Sequence, residues 1–172
     1  MNAQEKIKII DQLYQKYNND VYQFIYFMIR DRDTALDLMQ DTFIRSFERL
    51  EQFKGINEKS WLIKIARNRT IDYIRKKKPL LFYNEQNVDR IDDNSPEIIA
   101  ILNENERELY RALNNLKRTH QEVIILRKIN DFSIKETAEI LDWNEQKVKN
   151  NLYQAMKSLK SDLIKGGYHD GA

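Results

Sequence analysis

The chain has 172 residues, of which 33% are charged and 41% hydrophobic, and its formal net charge is +2. It contains no cysteine and two histidines, which excludes disulfides and thiol catalysis and nearly excludes a zinc site. Four glycines and two prolines favour helices over a turn-rich β fold. The longest apolar stretch, 21–29, falls far short of the ~20 residues of a membrane helix, and the N-terminus lacks a signal peptide. We therefore expect a soluble, cytoplasmic protein.

The charge is arranged in blocks along the chain. Residues 1–53 carry −2, residues 54–78 carry +7, residues 79–108 carry −6 and residues 109–172 carry +3. A short segment at +7 is typical of a phosphate-binding surface, although a solvated helix face would give the same pattern. The blocks leave open whether the acidic segment contacts the basic one.

Three helices are predicted before residue 79. Apolar residues recur at helical spacing from Gln12 to Arg30, and again after Asp33, a good N-cap. A loop at 53–60 follows, and Ser60 is positioned to cap a third, basic helix that ends before Pro79.

Helices are predicted again from residue 96. Ser95 and Pro96 mark a helix start, and capping boxes are predicted at Thr119–Glu122 and Ser133–Glu136. Leu109 and Met156 belong to the predicted inward faces. The sequence thus predicts an all-α fold with two small helical domains, at 1–78 and 96–172, joined by an acidic, extended linker at 79–95.

The short helix 134–141, the turn 142–144 and the longer helix capped by Asn144 have the pattern of a helix-turn-helix. Ala138 allows the two helices to pack closely, and Val148 faces inward. The outward side chains of the second helix are amides and lysines, which suit base edges and phosphates. An ordinary helical hairpin would give the same spacing.

Cations, asparagines and aromatic residues alternate between Phe53 and Lys78, as in surfaces that bind unpaired bases. For Trp61 and Phe53, core packing is the stronger expectation. A third set, around Asp37 and Asp41, clusters carboxylates on one helix face. Without a nearby histidine it indicates a solvated or protein-docking face rather than a catalytic or metal site.

Two motif sets together resemble the extracytoplasmic-function (ECF) group of RNA polymerase sigma factors. The first comprises residues 37–43 (DLMQDTF), Phe53, 61–68 (WLIKIARN) and 72–75 (DYIR). The second comprises 113–116 (LNNL), 122–127 (EVIILR), 132–133 (FS), 136–141 (ETAEIL) and 148–149 (VK). They cover nearly the whole chain, in the family's order, and match the sigma-two and sigma-four domains.

The resemblance implies a non-enzymatic factor without cofactors that directs core RNA polymerase to promoters and promotes DNA melting. Its partners would be the β′ clamp helices and β flap of the polymerase, double- and single-stranded promoter DNA, and an anti-sigma factor. The predicted docking face for polymerase comprises Asp37, Gln40, Asp41, Ile44 and Glu48. The predicted melting face for the minus-ten element comprises Lys54, Asn57, Ser60, Trp61, Lys64, Arg67, Asn68 and Arg75. The predicted reading face for the minus-thirty-five element comprises Gln146, Lys147, Lys149, Asn150, Tyr153, Gln154 and Lys157.

The chain departs from the family pattern in the helix-turn-helix. Gln146 and Lys147 replace a usual Gly-Thr pair, and Asn150, Asn151 and Gln154 stand where arginines are usual, which leaves the promoter sequence open. A stand-alone helix-turn-helix regulator is the alternative, but it leaves residues 37–78 unexplained. An enzyme acting on nucleic acid would need a nucleophile, a phosphate-binding glycine loop or a metal-binding carboxylate cluster, and we find none. A helical adaptor would make both basic faces incidental.

Overall fold

The computed structural model describes residues 1–55, 57–77 and 104–165, except the side chains of 105 and 106. Within these ranges all regular structure is helical, which confirms the predicted fold class. The predicted linker at 79–95 and the helix start at Ser95-Pro96 lie outside the described residues. Among the described helices none combines the length and apolarity needed to cross a bilayer.

Three helices form the N-terminal bundle: α1 (Ala3–Ile29), α2 (Arg32–Arg49) and α3 (Glu58–Lys77). A 3-10 turn, Leu50–Gln52, follows α2. The bundle packs around fully buried apolar side chains on α1 and α3, including Val21, Phe24, Leu62 and Ile63. This core fixes which face of each helix remains outside.

The helix starts in this bundle differ from the predicted ones. Helix α1 begins at Ala3 because Asn2 and Glu5 form a capping box. Helix α2 is capped by Asp31, not Asp33: the Asp31 carboxylate accepts a hydrogen bond from the Thr34 amide at 3.1 Å. Asn57, not Ser60, caps α3, since Asn57 Oδ1 accepts the Ser60 amide at 2.9 Å. In each case the helix starts further upstream than predicted.

Within residues 104–165 the C-terminal bundle contains α4 (Glu104–Asn115), α5 (Arg118–Ile124), α6 (Ile134–Leu141) and α7 (Glu145–Lys165). A π-helical turn, Ile125–Ile129, extends α5. The predicted capping box at Thr119–Glu122 is wrong: α5 begins after Lys117 without a side-chain cap, and the Glu122 carboxylate turns elsewhere.

Two residues predicted to face inward in this bundle do not. Leu109 is 45% exposed, and its neighbour Tyr110 is buried in its place. Met156 is 39% exposed, and Ala155 fills the inward position. The stripes are otherwise as predicted, since the other inward positions include the buried residues Ala112, Leu113, Val148, Ala155 and Leu159.

The helix-turn-helix is confirmed as α6, the turn 142–144 and α7. The Ser133 hydroxyl accepts the Glu136 amide at 3.0 Å, and Glu136 Oε1 accepts the Ser133 amide at 2.9 Å. Asp142 ends α6 in the left-handed conformation (φ 56°). Asn144 Oδ1 accepts the Lys147 amide at 2.7 Å, as predicted for the α7 cap. Val148, in the first turn of α7, is fully buried as predicted.

The two bundles share one apolar core. Its residues include Phe24, Leu62 and Ile63 from the N-terminal bundle and Ile125, Leu126, Phe132 and Ile140 from the C-terminal bundle. The rings of Phe27 and Tyr110 lie 6.3 Å apart across the junction. The bundles are therefore packed against each other. The sequence patterns do not predict this contact.

We expect Ser133→Ala to lower the free energy of unfolding by about 1 kcal/mol, because it removes the hydroxyl that caps α6. Urea denaturation followed by circular dichroism measures the change. Ser158→Ala, at an exposed position inside α7, is the control and should leave stability unchanged or slightly raised. Equal losses in both variants would contradict the capping role.

Candidate nucleic-acid interface

The docking face lies on the outer side of α2. Asp37, Gln40, Ile44 and Glu48 are all exposed there, and Ile44 leaves 59% of its surface uncovered. Asp41 is half-buried instead, because Arg69 of α3 donates a hydrogen bond to its carboxylate and Arg45 lies 3.7 Å away. The docking face therefore presents one apolar side chain, Ile44, among exposed polar side chains.

The melting face divides into exposed and covered residues. Lys54, Asn68 and Arg75 are exposed. Trp61 is half-buried and packs against the bundle core as predicted, and the half-buried Phe53 ring stacks on it with ring centroids 4.7 Å apart. Ser60 is only 7% exposed and is therefore not on the surface, contrary to the prediction.

The other three melting-face residues contact the C-terminal bundle. Arg67 Nε lies 2.8 Å from a Glu122 carboxylate oxygen. Lys64 Nζ lies 2.9 Å from Asp142 Oδ1. Asn57 donates a hydrogen bond to Glu136. Each of these three side chains thus meets one carboxylate of α5, α6 or the turn that follows α6.

Glu136 is held in its charged form. The hydrogen bond from the Ser133 amide keeps the pKa of this carboxyl below its usual value; burial opposes this, and the Ser133 hydroxyl, Asn57 and Lys59 add smaller lowering contributions. Lys59 also contacts the C-terminal bundle directly. Its ammonium donates to the Asn130 carbonyl at 2.6 Å and lies 4.8 Å from the Phe132 ring centre.

A cavity of about 520 Å³ opens beside these contacts, between α2, α3 and the start of α5. Its lining includes six arginines: Arg45, Arg49, Arg67, Arg69, Arg75 and Arg118. Asp72 is the carboxylate among its lining residues, and Asn68 also borders it. A cationic recess of this kind next to Asn68 suits the phosphates of a nucleic acid strand.

The reading face lies along α7. All seven of its predicted residues are exposed, and Tyr153 leaves 66% of its surface uncovered. Gln146 Nε2 donates to Asn150 Oδ1 at 2.9 Å, and the Lys147 ammonium lies 4.4 Å from the Trp143 ring centre. The second helix of the helix-turn-helix therefore presents amides and lysines to the outside, as major-groove binding requires.

The sequence interpretation missed Lys59, Glu122, Glu136 and Asp142 as parts of this surface. Glu122 and Glu136 were assigned to capping boxes and Asp142 to a turn, all local roles. The sequence signal that could have pointed to these carboxylates is the basic block at 54–78, because such a segment needs anions nearby. Within residues 1–55, 57–77 and 104–165, no group of three or more potential ligands is placed to hold a metal ion.

Comparison with known proteins identifies both bundles. Residues 13–79 match Sigma-70 region 2, and residues 106–159 match Sigma-70, region 4. The ECF RNA polymerase sigma factor SigX of Bacillus subtilis is 36% identical over 159 residues, covering 88% of this chain and 81% of SigX. SigM of the same organism is 31% identical over 161 residues, covering 94% of this chain and 98% of SigM.

Solved structures share the fold. The sigma factor RpoE of Bartonella quintana, in complex with the anti-sigma factor NepR, superposes with a TM-score of 0.72 at 24% identity, covering 91% of this chain and 98% of RpoE. CnrH, in complex with the cytosolic domain of CnrY, gives 0.73 at 19% identity and covers 95% of each chain. With both sigma regions matched in order and SigX similar over most of both lengths, the chain belongs to the ECF group of sigma factors, which direct RNA polymerase to promoters.

Proposed function

We propose that this sigma factor divides promoter recognition among the docking, melting and reading faces. The observation that carries the proposal is that these faces lie on three different helices, α2, α3 and α7, each with exposed side chains of the appropriate chemistry. Weak contacts on separate modules become strong together when one partner holds them at the right spacing. RNA polymerase supplies that spacing. The chain itself carries out no chemical step in this scheme and acts in the cytoplasm with the polymerase.

On the docking face, Asp37, Gln40, Ile44 and Glu48 contact the β′ clamp helices. An exposed apolar side chain surrounded by polar groups has the composition of an interface hot spot. Asp41 has a different part: its pair with Arg69 joins α2 to α3, and Arg45 lies beside it on α2 itself. The C-terminal bundle contacts the β flap.

On the melting face, Asn68, Arg75, Lys54 and the Trp61–Phe53 stack bind the non-template strand of the minus-ten element. Strand separation costs base-stacking energy, which aromatic platforms and cations that follow the backbone offset. The arginine-lined cavity beside Asn68 receives strand phosphates. On the reading face, the α7 amides and lysines contact base edges of the minus-thirty-five element.

An anti-sigma factor is a further expected partner. RpoE and CnrH share this fold. RpoE was solved with the anti-sigma factor NepR, and CnrH was solved with the cytosolic domain of CnrY. Affinity purification of the tagged chain from its own cells tests this. Recovery of polymerase subunits without any stoichiometric inhibitor would contradict it.

Transcription of a genomic promoter library by core polymerase, with and without the chain, tests the proposed function. We expect discrete new start sites that share two upstream elements. Strong duplex binding by the chain alone with no new start sites would support the stand-alone regulator, which the two sigma regions do not favour.

Asn68→Ala should slow open-complex formation while leaving polymerase affinity unchanged, because Asn68 is exposed on α3 and away from the docking face. Loss of one base contact corresponds to about 1–3 kcal/mol, or roughly five- to 150-fold. Permanganate footprinting measures melting and fluorescence anisotropy measures polymerase binding. Asn115→Ala, also exposed, is the control, and a parallel fall in both readouts for Asn68→Ala would contradict its assignment.

A further inference from the structure

The arginine-lined cavity has the dimensions of a small-molecule site. Its volume of about 520 Å³ lies within the range of roughly 300–1,000 Å³ that such sites occupy. Arg45 and Arg49 are four residues apart on α2, and Asn68, Asp72 and Arg75 follow one another on α3 at spacings of four and three. Side chains at such spacings lie on one face of a helix. The periodicity of two neighbouring helices therefore brings these side chains to one cavity.

Carboxylates neutralise only part of the positive charge around this cavity. Five of its arginines form ion pairs with three carboxylates, and each carboxylate is shared by two arginines. The pairs are Asp41 with Arg45 and Arg69, Asp72 with Arg69 and Arg75, and Glu122 with Arg67 and Arg118. The sixth arginine, Arg49, is exposed in the last turn of α2. Six cationic and three anionic groups leave a net charge of +3, which favours a further anion.

A chain of linked phosphates fits this arrangement better than a single anion. Each guanidinium group has five N–H donors in a planar fork, which matches the oxygens of a phosphate. Arg67 and Arg75 are eight residues apart on α3, which is roughly 12 Å along the helix axis. One phosphate group does not extend that far, whereas several linked groups do. The cavity therefore favours a ligand with consecutive phosphates.

The lining also indicates which part of such a ligand is recognised. None of the described residues that line the cavity is aromatic. A nucleobase would therefore have no aromatic side chain on which to stack, and binding depends on the phosphates.

We propose that this cavity binds soluble polyphosphate anions, such as inorganic tripolyphosphate or the triphosphate group of a nucleotide, and that these anions compete with the promoter strand. The binding depends only on the arginines. The competition rests on the proposed function, because it takes Asn68 and Arg75, which border the cavity, to bind the strand. Strand phosphates and a free polyphosphate use the same guanidinium donors, so each excludes the other.

Arg49→Gln is the test variant and Arg111→Gln is its matched control. Both arginines are exposed, Arg49 at the end of α2 and Arg111 on α4, and Arg111 does not line the cavity. Each substitution removes one positive charge. Since Arg49 is not a melting-face residue, its replacement changes the cavity without removing a side chain of that face.

Two titrations of the full-length chain test the proposal. Isothermal titration calorimetry without divalent cations gives the affinities for tripolyphosphate, adenosine triphosphate and adenosine. Fluorescence anisotropy of a labelled single strand of mixed sequence shows whether the same compounds release the strand. Sodium sulfate at equal ionic strength is the control anion, because any salt screens exposed charges. Library transcription with core polymerase is run on the same proteins.

We expect tripolyphosphate and adenosine triphosphate to bind with affinities within about threefold of each other, and adenosine not to bind. Arg49→Gln should weaken tripolyphosphate binding about fivefold relative to Arg111→Gln, because it removes one charge-assisted contact. Tripolyphosphate should release the strand from the wild-type chain at a lower ionic strength than sulfate does. Arg49→Gln should need a correspondingly higher tripolyphosphate concentration.

The contrary results separate the cavity from the proposed function. Equal weakening in both variants, or equal strand release by sulfate, would show charge screening alone and overturn the site. Binding of adenosine triphosphate more than tenfold tighter than tripolyphosphate would overturn recognition through phosphates. Tripolyphosphate binding without strand release would overturn the competition, and new start sites in library transcription would still support the proposed function. Absence of wild-type transcription, with tripolyphosphate binding weakened only in Arg49→Gln, would overturn the proposed function and leave the anion site.

Discussion

Replacing Ile44 by arginine should weaken binding to core RNA polymerase by roughly tenfold or more, corresponding to at least about 1.4 kcal/mol. Ile44 is 59% exposed on α2, at the centre of a surface otherwise made of polar side chains. A partner that buries this side chain gains hydrophobic free energy, and a charge placed there would have to be desolvated. Anisotropy of the labelled chain titrated with core enzyme measures the affinity.

Ile7→Arg is the matched control for Ile44→Arg. Ile7 is also 59% exposed, but it lies on α1 and not on α2. Its replacement adds the same charge and should leave polymerase affinity unchanged. Asp41→Ala is a poorer test, because that carboxylate pairs with Arg69 and Arg45 within the bundle. Equal affinities for the two isoleucine variants would remove Ile44 from the polymerase interface.

Replacing Phe132 by alanine should lower the free energy of unfolding by about 3–5 kcal/mol. The Phe132 ring is 2% exposed and belongs to the core that both bundles share, beneath the Lys59 ammonium. Removing it leaves a cavity that the helices on either side cannot fully close. Urea denaturation followed by circular dichroism measures the loss.

Two further variants keep that result interpretable if Phe132→Ala does not fold. Phe132→Leu leaves a smaller cavity and should destabilise by about 1–1.5 kcal/mol. Phe47→Ala removes a ring that is half-buried on α2 and should cost clearly less than Phe132→Ala. If Phe47→Ala were as damaging as Phe132→Ala, the shared core would not be a main source of stability.

Local sequence patterns predicted helix type and several helix boundaries well. The interval 134–141 agrees with α6 at both ends: the Ser133–Glu136 capping box fixes its start, and Asp142 ends it in the left-handed conformation. The Thr119–Glu122 box has the same form and is absent. There the Glu122 carboxylate forms an ion pair with Arg67, 55 residues away, which a local pattern cannot include.

Most of the side chains that the sequence predicts to be on the surface are exposed in the structure. Amphipathic spacing placed Ile44 on α2 and Lys149 and Tyr153 on α7 at exposed positions, because a helix repeats every 3.6 residues and its apolar stripe defines the opposite face. Ser60 is the one residue of the three predicted faces that is buried. It stands in the first turn of α3, where a helix start shifted upstream to Glu58 turns its side chain into the bundle.

Residue types at short, regular spacings were enough to predict the family, the all-helical class and the positions of three candidate faces. Which parts of those faces are covered depends instead on contacts between residues far apart in the chain. Arg67, Lys64 and Asn57 meet carboxylates 55 to 79 positions away. Such contacts depend on how two bundles pack through a shared apolar core, and no periodicity within either bundle encodes that packing.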